Sequence, residues 1–223
     1  MKKLLFPINL LLVLILFSGC FEVLEEITLN DDGSGHINFT VNLSQSKSKL
    51  NSIMLMDSIN DYKVPSKDDI LVHMNELARE IGQIKGVTNV QKKVNFTDFV
   101  FSMSCNFTSV EVLNRIISHF SSGGVETQSM EDYKQFSYDS KKKIFKRFYN
   151  YNLAQETKKV KSRDRQILDG ATVTTIYRFE SNIVKSENPA SKIAKNNKAV
   201  MLKVGVQDMI NKKNDITNTI TLN

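Results

Sequence analysis

The chain has no tryptophan and few residues of the kinds that build metal sites or covalent scaffolds. It holds 2 cysteines, 3 prolines and 3 histidines in 223 residues. Two cysteines exclude a disulfide-rich scaffold. His36, His73 and His119 fall on separate predicted elements, with no Cys-x-x-Cys, His-x-x-x-His or His-Glu-x-x-His spacing, so we expect no metal. Three prolines and 9 glycines exclude collagen-like or linker-like material. The Gly-x-Ser-x-Gly nucleophile elbow, Gly-x-Gly-x-x-Gly and phosphate-cradling loops are missing, and we expect no cofactor. The carboxylate pairs Glu25/Glu26, Asp31/Asp32 and Asp68/Asp69 are adjacent in sequence, and neighbours on a strand point to opposite faces, which suits solvent rather than paired acid–base chemistry. We therefore expect a protein that is not an enzyme.

The composition that remains is globular, with 41% hydrophobic and 24% charged residues. Lys2 and Lys3 precede the apolar run Leu4–Phe17, broken only by Pro7 and Asn9. That run is shorter than the roughly 20 residues a bilayer span needs, and it fits the h-region of a secretory signal. The segment Leu16-Phe17-Ser18-Gly19-Cys20 that ends it resembles the lipobox of bacterial lipoproteins. The resemblance implies cleavage before Cys20, a diacylglycerol thioether on its sulfur and, in most cases, an acylated amine. Two or three chains hold a protein on a membrane where one does so only marginally. Phe21 rather than Asp follows the cysteine, which by the same resemblance implies the outer membrane, facing the periplasm. Residues 1–19 are thus the expected signal peptide and 20–223 a single envelope domain, with 121–130 as the point where a subdivision would fall. The formal charge is +6, two of it on Lys2 and Lys3, so the mature part carries +4. Acylation of Cys20 leaves Cys105 unpartnered, and we expect a buried, inert thiol.

Phe21–Asn30 and His36–Ser44 alternate as a hairpin around Asp31-Asp32-Gly33-Ser34-Gly35. Pairing Asn30 with His36 sets Leu29 opposite Ile37 and Ile27 opposite Phe39, and leaves Glu25 on the apolar face, where we expect an edge position. Ser66–Ile84 is a helix by its spacing, capped by Ser66 with Asp69. Val87–Val94 and Asp98–Asn106 alternate as strands, with Phe99, Phe101, Met103 and Cys105 on one face. Thr108-Ser109-Val110-Glu111 is a capping box, with Thr108 as the cap, that opens a second helix, so helix, strand, strand, helix resembles a ferredoxin-like unit to which the hairpin could add a first strand. Leu77, Phe101, Cys105, Leu113 and Ile116 are expected in one core. Tyr133–Tyr138 and Lys143–Tyr151 form another hairpin, pairing either Phe136 with Phe145 or Tyr138 with Ile144. Ala171–Val184, Ala199–Val206 and Asp215–Leu222 close the chain as strands. The fold class is α+β: an antiparallel sheet with a few helices on one face, an N-terminal hairpin and C-terminal strands.

Cys20 leading into a strand, the Asp32-Gly33-Ser34-Gly35 turn, and the late stretches Tyr177–Val184, Glu187-Asn188-Pro189 and Val200–Val206 together resemble the LppM-type lipoprotein domain family. The resemblance is one of layout and touches both ends of the mature chain. It implies an envelope-anchored, non-enzymatic domain in contact with lipid or host molecules, and supplies no catalytic residue.

One stretch is strongly asymmetric in charge. Lys141–Arg165 holds ten cations against Glu156 and Asp164, a net +8, with Phe145, Phe148, Tyr149 and Tyr151 interleaved. An exported chain does not meet nucleic acid, so we read Lys141, Lys142, Lys143, Lys146 and Arg147 as a contact for an anionic surface, either lipid or an acidic envelope protein. The expected function is a membrane-anchored binding or structural module. The alternative is a lipid-tethered enzyme, such as a hydrolase, with a site assembled from distant residues.

Overall fold

Two strands of opposite direction begin the fold, β1 (Glu22–Leu29) and β2 (Gly35–Asn42). The computed structural model describes residues 21–223 apart from 60–61, 123–133, 163–164 and 166–167. Between β1 and β2, Asp32 Oδ1 accepts from the Ser34 amide at 2.8 Å and its hydroxyl at 2.6 Å, and Gly33 takes φ +86°, which its missing Cβ permits. The register places Leu29 opposite Gly35 and Ile27 opposite Ile37, two residues off the expected pairing. Asn30 is drawn into the turn, its amide donating to Ser34 O at 2.9 Å. Gly35 takes a ladder position where a Cβ would collide with the Thr28 carbonyl and the Phe107 ring. A slip of two preserves parity, so the apolar face stays apolar.

The chain continues through α1 (Lys47–Ile53), the short pair β3 (Ser58–Ile59) and β4 (Tyr62–Lys63), and α2 (Lys67–Gln83). The Ser66 cap forms as expected: its hydroxyl accepts from Asp69 N at 3.0 Å and Asp69 returns the bond at 2.9 Å. Next come β5 (Val87–Asn95), β6 (Val100–Phe107) and α3 (Val110–Ser122). The Ser109 hydroxyl accepts from Val112 N at 3.4 Å and so caps α3 one residue later than expected. The chain then forms β7 (Phe136–Asp139), β8 (Ile144–Arg147), α4 (Leu153–Lys159), β9 (Thr172–Phe179), β10 (Ile183–Ser186), β11 (Lys192–Ile193), β12 (Ala199–Gly205), α5 (Val206–Ile210) and β13 (Asn218–Leu222).

Seven strands form one sheet in the order β11-β12-β9-β1-β2-β6-β5, and four form a second, β10-β13-β8-β7. Among the described residues every pairing is antiparallel except β1 with β9. Within the large sheet, β2, α2, β5, β6 and α3 reproduce the ferredoxin-like order, with β6 between β2 and β5, and β1 fills the place of that unit's last strand. The hairpin β7–β8 adopts neither expected register: Tyr138 faces Phe145 and Asp139 faces Ile144 across a four-residue loop. Asn114 of α3 holds β7 in place, accepting from the Gln135 and Phe136 amides at 2.8 Å each and donating to Phe136 O at 2.9 Å.

The core fills the space between one face of the large sheet and a layer made of α2, α3 and the small sheet. Ile27, Leu29, Ile37, Met103, Cys105, Tyr177 and Val200 come from the sheet, and Ile81, Leu113, Ile116, Phe136, Phe145 and Ile220 from the covering layer. Of the five residues expected there, Cys105, Leu113 and Ile116 are buried and Leu77 packs against them half-buried. Phe101 departs from expectation: it shares the face but lies at the sheet's end, half-buried and edge-on to Phe96 at 5.7 Å.

Candidate functional site

The basic stretch does not form one surface. Lys141, Lys142 and Lys143 occupy the β7–β8 loop, where Asp139 Oδ1 accepts from the Lys141 and Lys142 amides at 3.1 and 3.0 Å. Lys143 adopts φ +54° and its ammonium meets Asp31 in the β1–β2 turn at 2.8 Å. That contact raises the Lys143 pKa and lowers that of Asp31, which also accepts from the Ser181 hydroxyl at 2.7 Å. Strand β8 then alternates: Phe145 and Arg147 point inward and Lys146 outward. Arg147, expected on the anionic-surface contact, is instead inside: its side chain is 7% exposed and already paired.

Its partner is Glu25, buried at the middle of the seven-stranded sheet rather than near an edge. Arg147 Nε donates to Glu25 Oε1 at 3.1 Å and Nη2 to Oε2 at 2.9 Å, a two-pronged ion pair. The Tyr177 hydroxyl also donates to Oε1, at 2.5 Å, and Arg147 Nη1 donates to Gln135 Oε1 at 2.5 Å. The guanidinium lies 4.6 Å from the centre of the Phe136 ring. Burial is the largest influence and opposes the Arg147 charge, but Glu25 and Tyr177 together outweigh it and the pKa rises. Burial, reinforced by the Glu25 carboxylate, pushes the Tyr177 phenol well above its ordinary value. Sequence reasoning missed this cluster. The available signal was Glu25 itself, a charge at an apolar parity, which requires a buried counter-charge from elsewhere. Closed off from solvent, the cluster joins the two sheets and offers a substrate no access.

The opposite face of the large sheet is polar and open. Crosswise rows run Arg178–Thr28–His36–Asn106 and Ile176–Glu26–Asn38–Ser104–Gln91. All of these but Asn106 and Ile176 line a shallow cleft of about 490 Å³. Glu26 accepts from Arg178 at 3.2 Å and from Asn38 at 3.0 Å, and His36 Nδ1 bonds Asn106 Oδ1 at 2.8 Å. These partners hold the side chains flat along the sheet. No group of three His, Cys, Asp or Glu side chains converges as a metal site among the described residues.

The sheet also has two distinct ends. At the entry end the chain arrives at Phe21, Glu22 faces Asn42 and Thr172, and Gly205 and Val100 lie alongside. Residues 44–59 and 62–65, including α1, hang from this end: Leu43 N donates to Phe99 O at 2.9 Å and Lys47 meets Asp98 at 3.1 Å. Helix α4 packs on α5, and Val206 N donates to Ala171 O at 2.9 Å, so Lys158 and Lys159 belong to the entry end as well. At the turn end lie Asp31, Ser181 and Lys141–Lys143. The basic stretch is thus divided between opposite ends. Cys20, the predicted lipid site, lies outside the described residues, as does the chain around 123–130 where a subdivision was expected.

No protein-family model matches the sequence, and no curated protein sequence matches it either. Among solved structures, the chain is similar to the folded domain of the Mycobacterium tuberculosis LppM protein, determined by NMR. Identity is 12%, the alignment covers 93% of this chain and 94% of that one, and the TM-score is 0.41. The likeness is one of fold layout alone.

Proposed function

We propose that the chain is a lipid-anchored, non-catalytic module of the bacterial cell envelope, held through Cys20 on the outer membrane and facing the periplasm. The observation that carries this reading is the position of Cys20. It closes the lipobox-like segment Leu16–Cys20 and stands two residues ahead of β1, the middle strand of the large sheet. An acyl group there would tether the domain with no linker, and two residues reach at most about 7 Å. The tether orients the domain, with the entry end toward lipid and the turn end away from it. Strand β1 has eight residues, so the Lys141–Lys143 loop stands roughly 25 Å from the anchoring bilayer. For that loop the geometry favours an acidic envelope protein over the anchoring lipid.

Metabolic labelling with a fatty acid tests the anchor. Wild type should carry label and sediment with membranes, and Cys20→Ser should lose the label and accumulate as unprocessed precursor. Unchanged labelling in Cys20→Ser refutes it. For the turn end, crosslinking in membranes should capture a protein partner, and Lys141→Glu with Lys142→Glu should abolish the capture.

A further inference from the structure

We infer that the entry end is itself a membrane-inserting surface, with the Met54-Leu55-Met56 loop seated in the interface of the bilayer that holds Cys20. The inference rests on the anchor proposed above and adds a second contact, made by the folded domain.

Residues 44–65 contain Leu50, Ile53, Met54, Leu55, Met56, Ile59, Tyr62 and Val64, yet no described residue in this span is buried. A span of that apolar content normally supplies a core, and here it supplies none. Leu55 is 89% exposed and Met56 50%. Tyr151 and Val160, which flank α4, are also exposed at this end, as is Tyr62. Large hydrophobics left in water mark a binding surface when they gather in one region. The occupant is set by what else stands there. Phe21 enters the sheet beside Asn42, and Asn42 leads directly into this span. A lipid on Cys20 therefore brings the bilayer to within a few ångströms of the end to which the span carrying Leu55 is attached. The side chains suit an interface: tyrosine, with an apolar ring and a polar tip, prefers the headgroup level, and lysine stems lie along apolar surface with the ammonium in water. Lys49, Lys63 and Lys158 are exposed around the rim. Charge is secondary, because Lys47 is occupied by Asp98 at 3.1 Å and Lys159 by Glu156 at 2.8 Å. The contact is apolar in kind and should persist in high salt.

The absence of tryptophan gives a clean probe. Leu55→Trp in the full chain replaces an exposed side chain, and far-UV circular dichroism checks its fold. Ser140→Trp serves as the control in the loop at the turn end. Both are reconstituted into phosphatidylcholine vesicles with brominated acyl chains, after acylation of Cys20 has been verified by mass. The Leu55→Trp emission should shift to the blue and be quenched about twofold or more, as for a side chain roughly 5–10 Å into the headgroup boundary, in low and high salt alike. The Ser140→Trp emission should stay unquenched. Water-like, unquenched emission from Leu55→Trp on an acylated chain overturns the insertion and leaves the anchor standing. A blue shift without quenching means that protein covers the loop, and quenching lost in high salt means a purely electrostatic contact. Each refutes the inference. A chain without acyl groups on Cys20 removes both readings.

Discussion

Replacing Arg147 by methionine is the sharpest test of how the two sheets are held together. Glu25 and Arg147 are 4% and 6% exposed, so neither can recover water when its partner goes. Arg147→Met strips Glu25 of both guanidinium bonds, at 3.1 and 2.9 Å, and leaves a buried carboxylate with the Tyr177 hydroxyl. Breaking such a pair from one side costs about 3–5 kcal/mol. Domains of this kind have stabilities of roughly 5–15 kcal/mol, so the loss is a large fraction of the whole. With a urea dependence of about 2 kcal/mol per molar, the unfolding midpoint should fall by roughly 1.5–2.5 M. Removing both charges together, Glu25→Leu with Arg147→Met, should cost less than Arg147→Met alone, because no unpaired charge remains. The residual loss is about 1–3 kcal/mol for the Tyr177 hydroxyl left without its acceptor. Urea melts followed by circular dichroism at neutral pH measure Arg147→Met, Glu25→Leu and the double variant. A midpoint shift below about 0.5 M for Arg147→Met, or strict additivity in the double variant, refutes the reasoning.

Three further outcomes are expected. Phe145→Ala should cost about 3–5 kcal/mol in a urea melt, because its ring is fully buried between Phe136, Tyr177 and Phe179, whereas half-buried Phe101→Ala should cost less. The Cys105 thiol, buried in β6 and pushed up to about 11 by desolvation, should resist iodoacetamide in the native protein at pH 8 and react once urea unfolds it; rapid native labelling would contradict its place in the core. Tyr149 is pushed up to about 12, chiefly by burial, and Tyr177 is also raised well above its ordinary value, so in an absorbance titration they should ionise after Tyr138 and Tyr151, which burial raises less. Their folded pKa values exceed the unfolded value near 10, so the stability they contribute is intact below pH 10 and is lost as pH climbs through the folded values; a melt unaffected by that rise contradicts the assignment.

What was legible in the sequence was local. Ser66 with Asp69, the apolar spacing of α2 and α3, and the parity of β1, β2 and β6 are short-range signals, and each produced the element it predicts. The two hairpin registers were not legible, because parity allows any even slip and the β7–β8 loop length was set by the Asp139 turn. Glu25 and Arg147 were misplaced for one shared reason: each was read against its own strand, while the partner stands 122 residues away. The parallel pairing of β1 with β9 escaped notice likewise, since nothing in either strand names the other. Treating Lys141–Arg165 as one charge run failed because β8 and α4 carry its halves to opposite ends of the sheet.

The central place of β1 also has a consequence in time. Its neighbour β2 follows within a few residues, but on the other side only β9 fits, and the bond from the Thr174 hydroxyl to Glu22 closes a separation of 152 residues. As the chain is synthesised, β1, β2, β5 and β6 can zip together early, while the outer backbone groups of β1 wait for a strand near the end. Closing so long a loop is slow, and contacts of this range set folding rates. During the wait the half-built sheet offers a bare strand edge to any identical neighbour. A chain cut before Thr172 keeps that edge permanently, so truncation should yield aggregates rather than a smaller stable domain.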